Sequence, residues 1–113
     1  MHAAVNGIEI AFQLDGPAKA PVVLLSHSLA TTMDMWRPQL AAFSRDFRLL
    51  RYDMRGHGRS GTPDGPYNFT MLADDVVALL DHLAIPKVIF VGISIGGMIG
   101  QMLAIQHPNR LSA

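Results

Sequence analysis

The 113-residue chain has no cysteine, no excess of charge of either sign and no long apolar run. Without cysteine there is no disulfide and no thiolate metal site, which fits a reducing, cytoplasmic setting. Nine basic residues against nine acidic ones leave no electrostatic footprint for nucleic acid or for an anionic membrane, so neither is expected as a partner. No stretch approaches the roughly 18 consecutive apolar residues that span a bilayer. Met1-His2-Ala3-Ala4-Val5-Asn6-Gly7 lacks the charged start and apolar centre of a secretion signal. No histidine–carboxylate cluster has metal-ligand spacing, and Gly56, Gly58 and Gly61 lack the lysine of a phosphate cradle. No metal and no cofactor are therefore expected. What the chain does have is apolar bulk: half its residues are hydrophobic and its mean hydropathy is +0.25. For so small a domain, that implies a rich core or apolar surface awaiting a partner.

Length allows one domain, at about 100–200 residues per domain. Asn6-Gly7 between short extended segments predicts a hairpin turn, with Ile8-Glu9-Ile10-Ala11-Phe12 alternating after it and Asp15-Gly16-Pro17 closing the strand. Pro21-Val22-Val23-Leu24-Leu25 reads as a strand buried on both faces. Asp34 is placed to cap a helix carrying Trp36, Leu40, Phe43 and Phe47 at i, i+4, i+7 and i+11, with Pro38 in its first turn. Phe47–Asp53 follows as a strand, then a Gly- and Pro-rich loop from Arg55 to Tyr67. Thr70 is expected to open a helix with Leu72, Val76, Leu79, Leu80 and Leu83 on one face and Asp74 and Asp75 near its positive end. Lys87–Val91 is the last strand, and Gly97–His107 a helix apolar nearly all round, expected to be buried on more than one side. After the hairpin, strand and helix alternate three times, which predicts an α/β domain with a parallel sheet and helices on both faces. The edge of the last strand is expected to be bare, and the chain to self-associate through it.

The sharpest local signal is Gly92-Ile93-Ser94-Ile95-Gly96, set between that strand and that helix. A serine on a sharp strand-to-helix turn, with glycine two residues before and two after, has the form of a nucleophile elbow. The tight bend needs residues without side chains beside it, and it aims the hydroxyl and the free amides of the helix at one point. Acyl transfer needs that combination.

The elbow, the stretch Asp53-Met54-Arg55-Gly56-His57-Gly58-Arg59-Ser60 and the strand pattern together resemble the N-terminal half of the α/β-hydrolase fold, over essentially the whole chain. His27-Ser28-Leu29-Ala30-Thr31, Met35-Trp36 and Gly65-Pro66-Tyr67 are narrower signals, most similar to the 3-oxoadipate enol-lactonase family. The resemblance implies Ser94 as nucleophile of an esterase or lactonase. It also implies the backbone N–H groups of Leu29 and Ile95 as the oxyanion hole. Where the family usually has His-Gly, this chain has His27-Ser28, and serine tolerates positive φ poorly. A serine at 94 argues against the dehalogenases and epoxide hydrolases of the fold, which place an aspartate there.

The other polar residues of these motifs invite plainer roles. His27 is expected to support the oxyanion loop; His57 is either a pocket residue or, more simply, a surface turn; Asp53 and Arg55 are expected to hold the loop by charge-assisted hydrogen bonds. His82 suits the negative end of its helix. A serine needs a base, itself oriented by a carboxylate, and this fold supplies them in the order Ser, Asp or Glu, His. The 19 residues after Ser94 hold no acid and one histidine, His107, which lies 13 residues along the helix, roughly 20 Å away at 1.5 Å per residue. The triad is therefore incomplete here. Two readings follow. One is a serine hydrolase of small esters or lactones whose other half is cleaved off or supplied by a complementing chain. The other is a non-catalytic hydrolase module that self-associates or binds a partner.

Overall fold

A computed structural model describes all of residues 1–113. Five strands form one sheet: β1 (His2–Val5), β2 (Ile8–Asp15), β3 (Val22–Ser26), β4 (Arg48–Tyr52) and β5 (Ile89–Gly92), in the order β1-β2-β4-β3-β5. The β1–β2 hairpin turns at Asn6 (φ 49°) and Gly7 (φ 80°), the positive φ pair that the Asn-Gly signal predicts. β2 ends at Asp15, where the Asp15-Gly16-Pro17 signal closes it, and pairs antiparallel with β4, while β4, β3 and β5 are parallel.

Topology decides where helices go. From β3 the chain steps to β4 on one side, then passes back over β3 to β5 on the other. Right-handed crossovers in opposite directions put their helices on opposite faces. Accordingly α1 (Arg37–Phe43) lies on one face, and α2 (Phe69–His82) with α3 (Ile95–Gln106) on the other. Alternate residues sort accordingly: Leu24, Leu50 and Tyr52 join the core under α2 and α3, whereas Val23, Leu25 and Leu49 pack with Trp36 on the α1 side.

The helix starts differ from the sequence expectation. Thr32, not Asp34, caps the short 3-10 helix Met33–Trp36 that leads into α1, accepting the Asp34 N–H on its hydroxyl. Phe47 lies outside α1, which ends at Phe43. Asn68, not Thr70, caps α2, its side-chain oxygen accepting the Met71 N–H at 2.8 Å. α3 buries only Gly96, Ile99 and Leu103, and leaves Met98 and Ile105 exposed, so one side alone is covered. Nor is the β5 edge bare. Residues 110–113 run parallel beside it, with Val88 donating to Arg110 C=O, Ser112 to Val88 C=O and Phe90 to Ala113 C=O, all at 2.9 Å. No helix is long and apolar enough to cross a membrane.

Candidate active site

Register brings the ends of three strands level: Ser26 is paired with Tyr52 on one side and with Gly92 on the other. The loops leaving these ends carry residues 27–32, 53–68 and 93–94, and they meet where strand order reverses, the place where open α/β sheets bind ligands.

Ser94 sits on a bend with φ 54° and ψ −120°, a conformation that L side chains rarely adopt, and its side chain is exposed. The bend is possible because of its flanks. A Cβ on Gly92 would stand 2.4 Å from the backbone of Gly96, and one on Gly96 would stand 2.3 Å from the Ser26 carbonyl oxygen. Neither clash can be relieved by a side-chain movement. Ser94 closes the first turn of α3 with its carbonyl, which accepts the Met98 N–H at 3.1 Å. Ile95 is the first residue of that helix, so its N–H has no acceptor one turn back.

Leu29 lies in a tight turn over residues 28–31. The Ser28 carbonyl accepts His27 Nδ1–H at 2.8 Å, the Thr31 hydroxyl at 2.8 Å and the Thr31 N–H at 3.3 Å. Positive φ falls on Ala30 (60°), so Ser28 escapes the strain expected of it. The Leu29 N–H donates to no group in the chain. Leu29 and Ile95 line one cavity of about 230 Å³ together with His57, Tyr67, Arg55 and Phe69. A larger cavity, about 380 Å³ and almost wholly apolar, lies on the α1 face among Val23, Trp36, Phe43 and Val91, away from the strand ends.

The histidines have fixed roles. A backbone N–H can only donate and a carbonyl only accept. His27 accepts the Met54 N–H on Nε2 (2.9 Å) and donates from Nδ1 to Ser28. His57 accepts the Ala30 N–H on Nε2 (3.1 Å) and donates from Nδ1 to the Arg55 carbonyl (3.1 Å). All four ring nitrogens are therefore engaged, and neither histidine presents Ser94 with a free lone pair. Burial, and then His57 5.1 Å away, hold His27 below the usual histidine pKa, against the pull of its Ser28 bond. His57 lines the cavity half-buried, so the simpler surface-turn reading gives way to the pocket one. His82 ends α2 in solvent, and His107 stands 3.4 Å from Asp74 at the far end of α3.

Asp53 holds the loop as expected, accepting the N–H groups of Met33 (2.7 Å) and Arg59 (3.0 Å). Arg55 also holds the loop by charge-assisted bonds, through a buried, two-pronged pair with Asp75 of α2, at 2.6 and 2.8 Å, which holds its pKa up. Sequence reasoning put Asp75 at the helix's positive end and missed this pair. The clue was its place on the apolar stripe, between Leu72 and Val76. Tyr52, fully buried, shares a 2.9 Å bond with Ser26 Oγ, and burial pushes its phenol pKa up.

Comparison with known proteins fits this geometry. Over 97 residues the chain is 50% identical to 3-oxoadipate enol-lactonase 2 of Acinetobacter baylyi, covering 86% of this chain and 36% of that protein. It is 38% identical over 104 residues to a protein provisionally named carbamate hydrolase RutD in Variovorax paradoxus, covering 90% and 39%. The crystal structure of an enol-lactonase from Burkholderia xenovorans LB400 superposes with a TM-score of 0.96 at 48% identity, over 98% of this chain and 44% of that one. The chain thus spans less than half the length of the relatives it matches. Residues 21–113 match the α/β hydrolase fold family, to which this chain belongs.

Proposed function

We propose that the chain is the nucleophile-bearing part of a serine hydrolase that opens a small lactone or ester of the 3-oxoadipate enol-lactone type. One observation carries this: an exposed serine on a strained bend stands beside Ile95, and Ile95 and Leu29, both with unengaged amides, line one cavity. Ser94 Oγ attacks the carbonyl carbon and its proton passes to a base. The Leu29 and Ile95 N–H groups stabilise the oxyanion, a contribution of about 3–4 kcal/mol per donor in acyl transfer. The ring C–O bond then breaks, the leaving oxygen takes the proton, and water hydrolyses the acyl-enzyme to a carboxylate. His27 and His57 are already committed to backbone groups, so neither supplies the base. The same engaged rings favour a second reading, a hydrolase module that binds without turning over substrate.

A fluorophosphonate probe, applied in the presence of the complementing chain that would supply the base, separates the two. Rapid labelling that vanishes in Ser94→Ala supports the hydrolase, and turnover of an enol-lactone in preference to a carbamate supports the substrate class. A folded protein that resists the probe supports the binding module.

A further inference from the structure

The two peptides on either side of Leu29 are anchored separately. The Ser28 carbonyl is drawn one way by His27 and Thr31, and in a trans peptide the Leu29 N–H must point the opposite way. The next peptide, Leu29–Ala30, is held on its N–H by a single group, Nε2 of His57, whose other nitrogen is tied to the Arg55 carbonyl. Ala30 needs such an anchor. A non-glycine residue at φ 60° is strained, and it persists only when its surroundings over-determine it.

We propose that His57 is a positioning residue: by accepting the Ala30 N–H it holds the left-handed turn at Ala30, and so steadies from the following peptide the Leu29 amide that the Ser28 bonds orient. This rests on the reading of Leu29 as an oxyanion donor, and it adds a role for a side chain 27 residues away in another loop. The ring does no proton transfer. It acts as a lone pair at a fixed place, delivered by the β4 loop, so the two loops move as one unit.

The test uses ¹⁵N-labelled full chain. A through-bond nitrogen–nitrogen coupling between Ala30 N and His57 Nε2 is expected. His57→Leu should speed Ala30 amide exchange and slow Ser94 phosphonylation by about tenfold to a hundredfold, the scale on which a misplaced group costs rate. His57→Gln, which keeps an acceptor, should recover most of both. No coupling, or Ala30 exchange unchanged in His57→Leu, overturns the proposal. Equal loss of labelling in both variants with Ala30 still protected also overturns it, since the ring would then act on the reagent directly. Phosphonylation is read with the complementing chain that would supply the base present; if the parent then resists the probe while the coupling and exchange results hold, the nucleophile reading falls and the anchoring of the turn stands. Should His57→Leu fail to fold, the coupling in the parent chain decides alone.

Discussion

Ser94 is where local chemistry and backbone disagree most. Its φ of 54° carries a cost of about 1–3 kcal/mol for a residue with a Cβ, against about 0.5–1 kcal/mol of extra chain entropy that glycine would lose. Ser94→Gly should therefore stabilise the chain by about 1 kcal/mol, raising Tm by about 4–8 °C for a domain of this size. Ser94→Ala retains the Cβ and should give no such gain. Thermal denaturation of the three proteins side by side checks this, and equal Tm values for Gly and Ala would mean that the bend is unstrained. The sequence made this residue legible because both flanking positions must be glycine, where a Cβ would stand only 2.3–2.4 Å from backbone atoms. It left Ala30 illegible: nothing local distinguishes that alanine, since the group that holds it belongs to a loop 27 residues away.

At the level of elements, the loop after β4 is pinned from two sides, and each pin predicts a different response. Arg55 and Asp75 are both buried, and Asn6 donates to the same carboxylate at 2.7 Å. Asp75→Asn leaves a buried guanidinium without its counter-charge, a change that typically costs about 3–5 kcal/mol. Against a usual total of about 5–15 kcal/mol, that brings the chain near unfolding. The neighbouring Asp74→Asn, half-exposed and beside His107 only, should fall within about 0.5 kcal/mol of the parent in urea denaturation. The second pin is His27, whose pKa is held below the ordinary 6.5 by burial and then by His57, against the raising pull of its Ser28 bond and of Asp53. Below about pH 6.5 the unfolded chain binds a proton there that the folded chain refuses. This contribution to stability is therefore full above that pH and falls as the pH drops toward the folded value. Urea midpoints at pH 7.5 and 5.0 should show a smaller loss in His27→Gln than in the parent. Element order was legible from apolar periodicity and turn residues, because these depend on near neighbours. The caps at Thr32 and Asn68 and the Arg55–Asp75 pair were not, because each is chosen by what the chain meets after it closes.

For the whole molecule, the two faces of the sheet are unequally covered. Sixteen buried residues lie under α2 and α3, and four on the α1 side, where Phe43 and Val91 stay 51% and 39% exposed beside the 380 Å³ apolar hollow. The positive mean hydropathy thus reflects surface as much as core. Self-association remains the expected behaviour of these 113 residues, but its cause moves from a bare β5 edge, which residues 110–113 pair with, to this face. Removing about 300 Å² of apolar surface from water yields about 7 kcal/mol, while association itself costs about 4–15 kcal/mol. At best about 3 kcal/mol remains, which allows only a weak complex with a Kd above about 1 mM. Sedimentation velocity across a concentration series should show the shift, and Val91→Lys should suppress it. Met98→Lys, on α3 beyond the other face, is the control that should leave it unchanged. A Met98→Lys effect as large as that of Val91→Lys would place the excess apolar surface elsewhere.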